Sequence, residues 1–184
     1  GTTGRPKGVM PVVEKQPIDF DNPLLAVSRK LYGIDSDTVY LSPAPLYHAA
    51  PLRFNMSVMR LGGTSVIMEH FDAEEYLSLI PKHRITHTQV VPTMFVRFLK
   101  LPEEVRAKYD VSSLKCAIHA AAPCPIPTKE AMINWWGPII WSTTAGLKAT
   151  ASPCATPRNG WRTRARSAAR SSASSRSATT RATS

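Results

Sequence analysis

Residues 1–9, Gly-Thr-Thr-Gly-Arg-Pro-Lys-Gly-Val, gather the residue types that hold an anion. Gly1, Gly4 and Gly8 lack a Cβ and let backbone amides close on a phosphate, Thr2 and Thr3 add hydroxyl donors, and Lys7 adds a compact positive charge. A Walker A loop places Ser or Thr directly after its lysine. Gly8 stands there, so this loop is of another kind. A phosphate loop of this sort normally follows a strand, and its place at residue 1 predicts an internal piece of a longer protein. Two further segments carry candidate chemistry: Ser42–Pro51 with His48, and His119–Pro125 with Ala121, Ala122 and Pro123.

Alternating runs supply the elements that must position these segments. Residues 22–33 space Leu24, Val27 and Leu31 as one helical face, and 37–45 is β-rich and stopped by prolines. A helix over 51–63 ends in two glycines, and 64–68 is a short buried strand. Residues 72–83 form a helix capped by Asp72, with Glu74 and Glu75 suiting its dipole and Pro81 interrupting it. A strand over 85–91, a helix over 93–109, a strand over 114–122 and a helix over 126–137 follow, and residues 138–141 start one more strand. Such alternation predicts an α/β domain with helices covering a largely parallel sheet. Ligands in that architecture sit at the carboxyl ends of the strands, so all three candidate segments are expected to face one crevice.

Composition excludes several classes. No stretch approaches the roughly 18–20 apolar residues of a membrane span, and no charged-then-apolar leader precedes Gly1, which makes a cytoplasmic location the expectation. Cys116, Cys124 and Cys154 form no C-x-x-C pair, so neither a zinc site nor a disulfide framework is expected. His70, His83 and His87 lack metal-ligand spacing. His119 reads as a packed or hydrogen-bonded residue at a strand end, and Trp135 and Trp136 as core.

The loop at 1–9 resembles the phosphate loop of the adenylate-forming enzymes, whose fuller pattern is S-G-T-T-G-x-P-K-G-V. Residues 41–51, 85–100 and 114–137 fit the same superfamily in order, and the apolar helices with Ala-Ala-Ala-Pro-Cys-Pro are most similar to bacterial acyl-CoA synthetases (fatty-acid–CoA ligases). The resemblance covers residues 1–141 and implies part of the large N-terminal domain of such an enzyme. It implies a carboxylic acid, ATP, Mg²⁺ and coenzyme A as reactants: the acid is activated to an acyl-adenylate, and the CoA thiol then displaces AMP. By position it implies that Thr2, Thr3, Gly4, Lys7 and Gly8 hold the phosphates. Ala121, Ala122 and Pro123 would lie along the adenosine, and His48 would stand near the carboxylate at the mouth of an acyl tunnel.

The composition changes near Trp141. Of the net charge of +10, Lys148 and seven arginines fall after Ser142 with no acid among them, leaving 15 basic and 13 acidic residues before. The resemblance predicts E-Y-Y-G-G-T-E-G after Trp141, with a Thr-Glu pair for Mg²⁺, whereas residues 142–151 read Ser-Thr-Thr-Ala-Gly-Leu-Lys-Ala-Thr-Ala. Codons for E-Y-Y-G-G-T-E-G-N-G, read one base late, spell those ten residues. Residues 142–184 are therefore expected to be an out-of-frame, disordered basic tail. The alternative is a nucleic-acid-binding arm held by phosphate contacts, which lacks interleaved aromatics beyond Trp161. Without the Thr-Glu pair, a later ribose-binding Asp and a small C-terminal domain with its lysine, the chain is expected to be inactive alone. Unpaired sheet edges predict poor solubility.

Overall fold

The computed structural model describes residues 15–17, 20–143 and 151–153. Helix α1 (Pro23–Tyr32) begins where Asn22 accepts a hydrogen bond from the Leu25 amide, and it ends at Gly33, whose φ of 68° needs no Cβ penalty. Strand β1 (Val39–Ser42), helix α2 (Ala49–Arg60) and strand β2 (Thr64–Ile67) form the first crossover unit. Gly63 makes the entry to β2 possible, because a Cβ there would lie 2.9 Å from the Thr38 carbonyl oxygen and from a Val58 methyl.

Helix α3 (Ala73–His83) starts on Asp72, whose carboxylate accepts from the Glu74 and Glu75 amides, as expected of an N-cap. Pro81 does not interrupt it. The proline falls in the last turn, so only one backbone bond is lost before Arg84 closes the helix in the left-handed region. Strand β3 (His87–Val90) leads to two helices, α4 (Pro92–Leu99) and α5 (Glu103–Lys108), where the sequence predicts one. Pro102 explains the split, since the residue before a proline is driven out of helical geometry. Strand β4 (Cys116–His119), helix α6 (Ile126–Trp136) and strand β5 (Ile140–Thr143) complete the parallel part.

The sheet order is β2-β1-β3-β4-β5-β6, with β1 to β5 parallel and β6 (Ala151–Pro153) antiparallel to β5. The α/β architecture and parallel sheet are those expected. Ser142 and Thr143, where the sequence predicts the tail to begin, are the last residues of β5, and 151–153 pair with it. Backbone pairing needs no particular side chains, and a strand edge offers a row of donors and acceptors to any segment in reach. Residues 144–150 and 154–184, and with them the expectation of a disordered tail, lie outside the described residues.

Helices α3, α4 and α6 cover one face of the sheet around Leu41, Val90, Ala117 and Ile140. Helices α1 and α2 cover the other, around Tyr40, Cys116 and Ile118. Trp136 is core, as expected, packed among Tyr76, Phe95 and Phe98. The α1 stripe differs from expectation. Leu25, Ser28 and Tyr32 face the sheet, while Leu24 and Val27 stay exposed. Tyr32 decides the rotation, because its ring packs edge-on against Phe54 at 5.7 Å and Trp141 at 5.9 Å.

Candidate nucleotide and acid site

Because β1 to β5 run the same way, the segments that follow them leave from one edge of the sheet. The chain doubles back from β2 past β1 to β3, so the order reverses between β1 and β3, the position where open α/β sheets receive ligands. Residues 43–48 leave from β1 and residues 120–125 leave from β4, which puts two of the three predicted segments on that edge. The third, with Thr2, Thr3, Gly4, Lys7 and Gly8, lies outside the described residues.

His48 is the N-cap residue of α2 and makes no capping bond through its side chain. It is exposed, with its ring 4.4 Å from that of Tyr47, so it is open to an incoming group. Ala121 has φ of +75°, a left-handed conformation that costs a non-glycine residue roughly 1–2 kcal/mol. Ala121, Ala122 and Pro123 are all exposed, so this turn presents its backbone to solvent at the end of β4. Strain held at the mouth of a crevice is a feature of ligand-binding segments.

His119, buried at the end of β4, packs its ring edge-on to Phe95 at 5.8 Å, and its Nε2 lies 2.8 Å from Ser142 Oγ. That is the hydrogen-bonded strand-end residue the sequence predicts. Its neighbours were not legible there. Lys129, in the first turns of α6, donates from Nζ to the same Ser142 oxygen at 2.5 Å. The nearby Cys124 thiol is pushed up by burial, while the Lys129 charge pulls it down.

A second group of polar side chains missing from the sequence reading lies under α2. Asn55 donates to Ser42 Oγ and to the Pro51 carbonyl, each at 2.8 Å, and is buried with Ser42. Gln89 is buried one strand away on the same face. Asn55 Oδ1 and Gln89 Oε1 have no hydrogen-bond partner among the described residues. The period-2 polar pattern His87, Gln89 within β3 was the available signal. Among the described residues no three His, Cys, Asp or Glu side chains form a group able to hold a metal ion, and no helix is long and apolar enough to cross a membrane.

Parallel strands, a reversal of strand order and an exposed, strained turn at the carboxyl edge define an α/β protein of the ligand-crevice class. The chain belongs to the AMP-binding enzyme family, whose model matches residues 1–167. It is 36% identical over 158 residues to the 2-succinylbenzoate–CoA ligase of Bacillus pumilus, covering 85% of this chain and 30% of that protein. It is 37% identical over 131 residues to 4-coumarate–CoA ligase 1 of Petroselinum crispum, covering 67% and 22%. The amide bond synthetase McbA of Marinactinospora thermotolerans shares the fold at a TM-score of 0.61 and 21% identity, over 69% of this chain and 25% of that one. ATP-bound MatB of Rhodopseudomonas palustris does so at 0.59 and 21%, over 73% and 27%. The chain thus spans between a fifth and a third of the length of these relatives. The family match runs through Arg158–Arg166, and these CoA-ligase relatives lend no support to a nucleic-acid arm.

Proposed function

We propose that this chain supplies the nucleotide- and acid-binding edge of an AMP-forming acid–CoA ligase located in the cytoplasm. The observation that carries the reading is the common edge: the His48 segment and the strained Ala121 turn leave the same end of a parallel sheet in a chain of the AMP-binding family. Thr2, Thr3, Gly4, Lys7 and Gly8 hold the ATP phosphates, because close amides and one ammonium neutralise an oxyanion cluster. The turn Ala121–Pro123 lies along the adenosine, where an exposed backbone without bulky side chains leaves room for a flat ring system. His48 stands beside the carboxylate of the acid.

The reaction asks these residues to neutralise and align rather than to act as nucleophiles. Acid and ATP give acyl-adenylate and pyrophosphate, and CoA takes the acyl group with release of AMP. Magnesium neutralises phosphate charge when bound; the described residues do not form a site for it by themselves. Binding of ATP is the activity expected of these 184 residues. Equilibrium binding of Mg²⁺-ATP to the chain tests this. Lys7→Ala is expected to weaken binding about tenfold, the worth of one charge-assisted contact. Equal binding by wild type and variant would remove Lys7 from the site, and no binding by wild type would end the proposal. The out-of-frame origin of residues 142–184 belongs to the same proposal, and the DNA sequence across the Trp141 codon decides it.

A further inference from the structure

We propose that β2 and the outer flank of α2 form a docking edge for a second copy of this chain, the two β2 strands pairing antiparallel about a two-fold axis. Strand β2 ends the sheet, and among the described residues β1 is its only partner strand. The Thr64 and Met68 amides donate to the Thr38 and Ser42 carbonyls. Alternation along the strand therefore turns the backbone groups of Ser65 and Ile67 to the free side. Such edges are normally blunted by shortness, charge or proline. This one is as long as β1, β3, β4 and β5, and residues 61–68 carry neither a charge nor a proline. At its ends stand Arg60, which donates to the Phe20 carbonyl at 2.6 Å, and the exposed Glu69.

Helix α2 makes the same edge apolar. It lies over β1 and β2, and Phe54 on one flank meets α1 through the Tyr32 ring. With about 3.6 residues per turn, Leu52, Met56 and Met59 fall on the opposite flank, where they are 44%, 53% and 68% exposed. Ile67, in register with Ser42 and so on the α2 face of the sheet, is 54% exposed. A second copy fits this edge by geometry. Centred on Val66, an antiparallel register lets Ser65 of each copy exchange both hydrogen bonds with Ile67 of the other. It sets the Arg60 end of one strand alongside the Glu69 end of the other, whereas parallel pairing would set like charge beside like. With strands about 4.8 Å apart and each α2 seated over its own β1 and β2, the two α2 axes come about 10 Å apart, the spacing of packed helices. The stripes of Leu52, Met56 and Met59 then meet across the axis, so one contact covers both the free strand and the apolar flank.

Sedimentation equilibrium of the 184-residue chain across a micromolar dilution series tests this. A reversible dimer, twice the 20.2 kDa of one chain, is expected. Ile67→Pro removes an outward amide and leaves the bonds to β1 in place, and Met59→Glu puts a charge into the stripe. Each is expected to weaken the dimer at least about tenfold. Leu24→Glu, an exposed change on α1 away from the edge, is expected to leave it unchanged. Circular dichroism compares the folds of the three variants, and Met59→Glu, at the most exposed position of the stripe, decides the matter where Ile67→Pro alters the spectrum. A monomeric wild type, association beyond the dimer, or a dimer that survives Met59→Glu would overturn the docking edge. Dissociation by Leu24→Glu as complete as by Met59→Glu would do the same, because association would then follow exposed apolar area and not this edge.

Discussion

The two faces of the sheet are built on different principles. Against α3, α4 and α6 the core is continuous and aromatic: Phe98 and Tyr76 lie 4.7 Å apart by ring centroid, Trp136 stacks on Tyr76 at 6.2 Å, and Phe95 stands edge-on to Trp136. Tyr76 places its one polar atom on Thr88, which passes the bond to the Leu41 carbonyl, so the polar end is satisfied. Against α1 and α2 the buried layer includes Ser28, Ser42, Asn55, His87 and Gln89. Polar atoms there on Ser28, Tyr40, Asn55, Ser65 and Gln89 have no hydrogen-bond partner among the described residues, and on the first face Trp136 Nε1 has none either. The same helices expose Leu24, Val27, Leu52, Met56 and Met59 outward. The first face is a continuous aromatic cluster, and the second sets a smaller aromatic group, Tyr32, Tyr40, Phe54 and Trp141, among buried polar side chains.

The comparison breaks most readily on the aromatic side. Phe98→Ala is expected to lose roughly 3–5 kcal/mol in urea unfolding, because a fully buried ring is removed from a close-packed cluster. A loss under about 1 kcal/mol would show that this face is not the main core. On the α1/α2 side, Gln89→Leu sharpens the contrast. It gives up a 3.2 Å bond from Nε2 to the Val90 carbonyl but removes a buried acceptor without a donor. A gain of about 1 kcal/mol is expected, and destabilisation on the Phe98 scale would erase the distinction between the faces.

Smaller is the effect expected at the edge where both faces end. Ala121→Gly relieves a left-handed alanine and is expected to add roughly 0.5–1 kcal/mol, whereas Ala121→Val is expected to cost more than that. Equal stability of all three proteins would remove strain from the account of this turn.

The smallest effect is confined to acid pH. His87 Nε2 donates to the Tyr32 carbonyl at 2.9 Å, and Nδ1 lies 2.8 Å from Thr86 Oγ1. Burial lowers its pKa and Lys115 lowers it further, against the opposing pull of the Tyr32 carbonyl and Asp35. The folded state therefore binds its proton later than the unfolded state does. Stability from this residue is full above the unfolded value, about 6.5, and is lost as pH falls below it. Thermal unfolding between pH 7.5 and 5 is expected to show that loss in wild type and not in His87→Gln. Parallel pH profiles would clear His87 of the effect. Cys116 on the same face, pushed up to about 12 by burial, stays a neutral thiol throughout this range.

Much of this arrangement was legible residue by residue. Asp72 with Glu74 and Glu75 announced the start of α3, and Gly62 with Gly63 announced the end of α2, because caps and turns are decided within a few residues of chain. Pro81 and Pro102 show the limit of the same local rules. One proline sits harmlessly in a last turn and the other divides a helix, and only the position of the flanking hydrogen bonds distinguishes them. Periodicity gave α1 its length, while the choice between Leu24–Val27 and Leu25–Ser28–Tyr32 as its inner stripe waited for Phe54 and Trp141 to meet Tyr32.

By itself the sequence determined most of the element types, their alternation, the parallel α/β class and which segments follow β1 and β4, since each depends on residues close together along the chain. The tertiary structure alone decided that Lys129 and His119 meet at Ser142, that Asn55 reaches Ser42 beneath α2, and that one face carries the larger aromatic cluster and the other more buried polar side chains. Those contacts join residues from separate strands and helices. Strand order and helix rotation create them, and neither is written in any local stretch of chain.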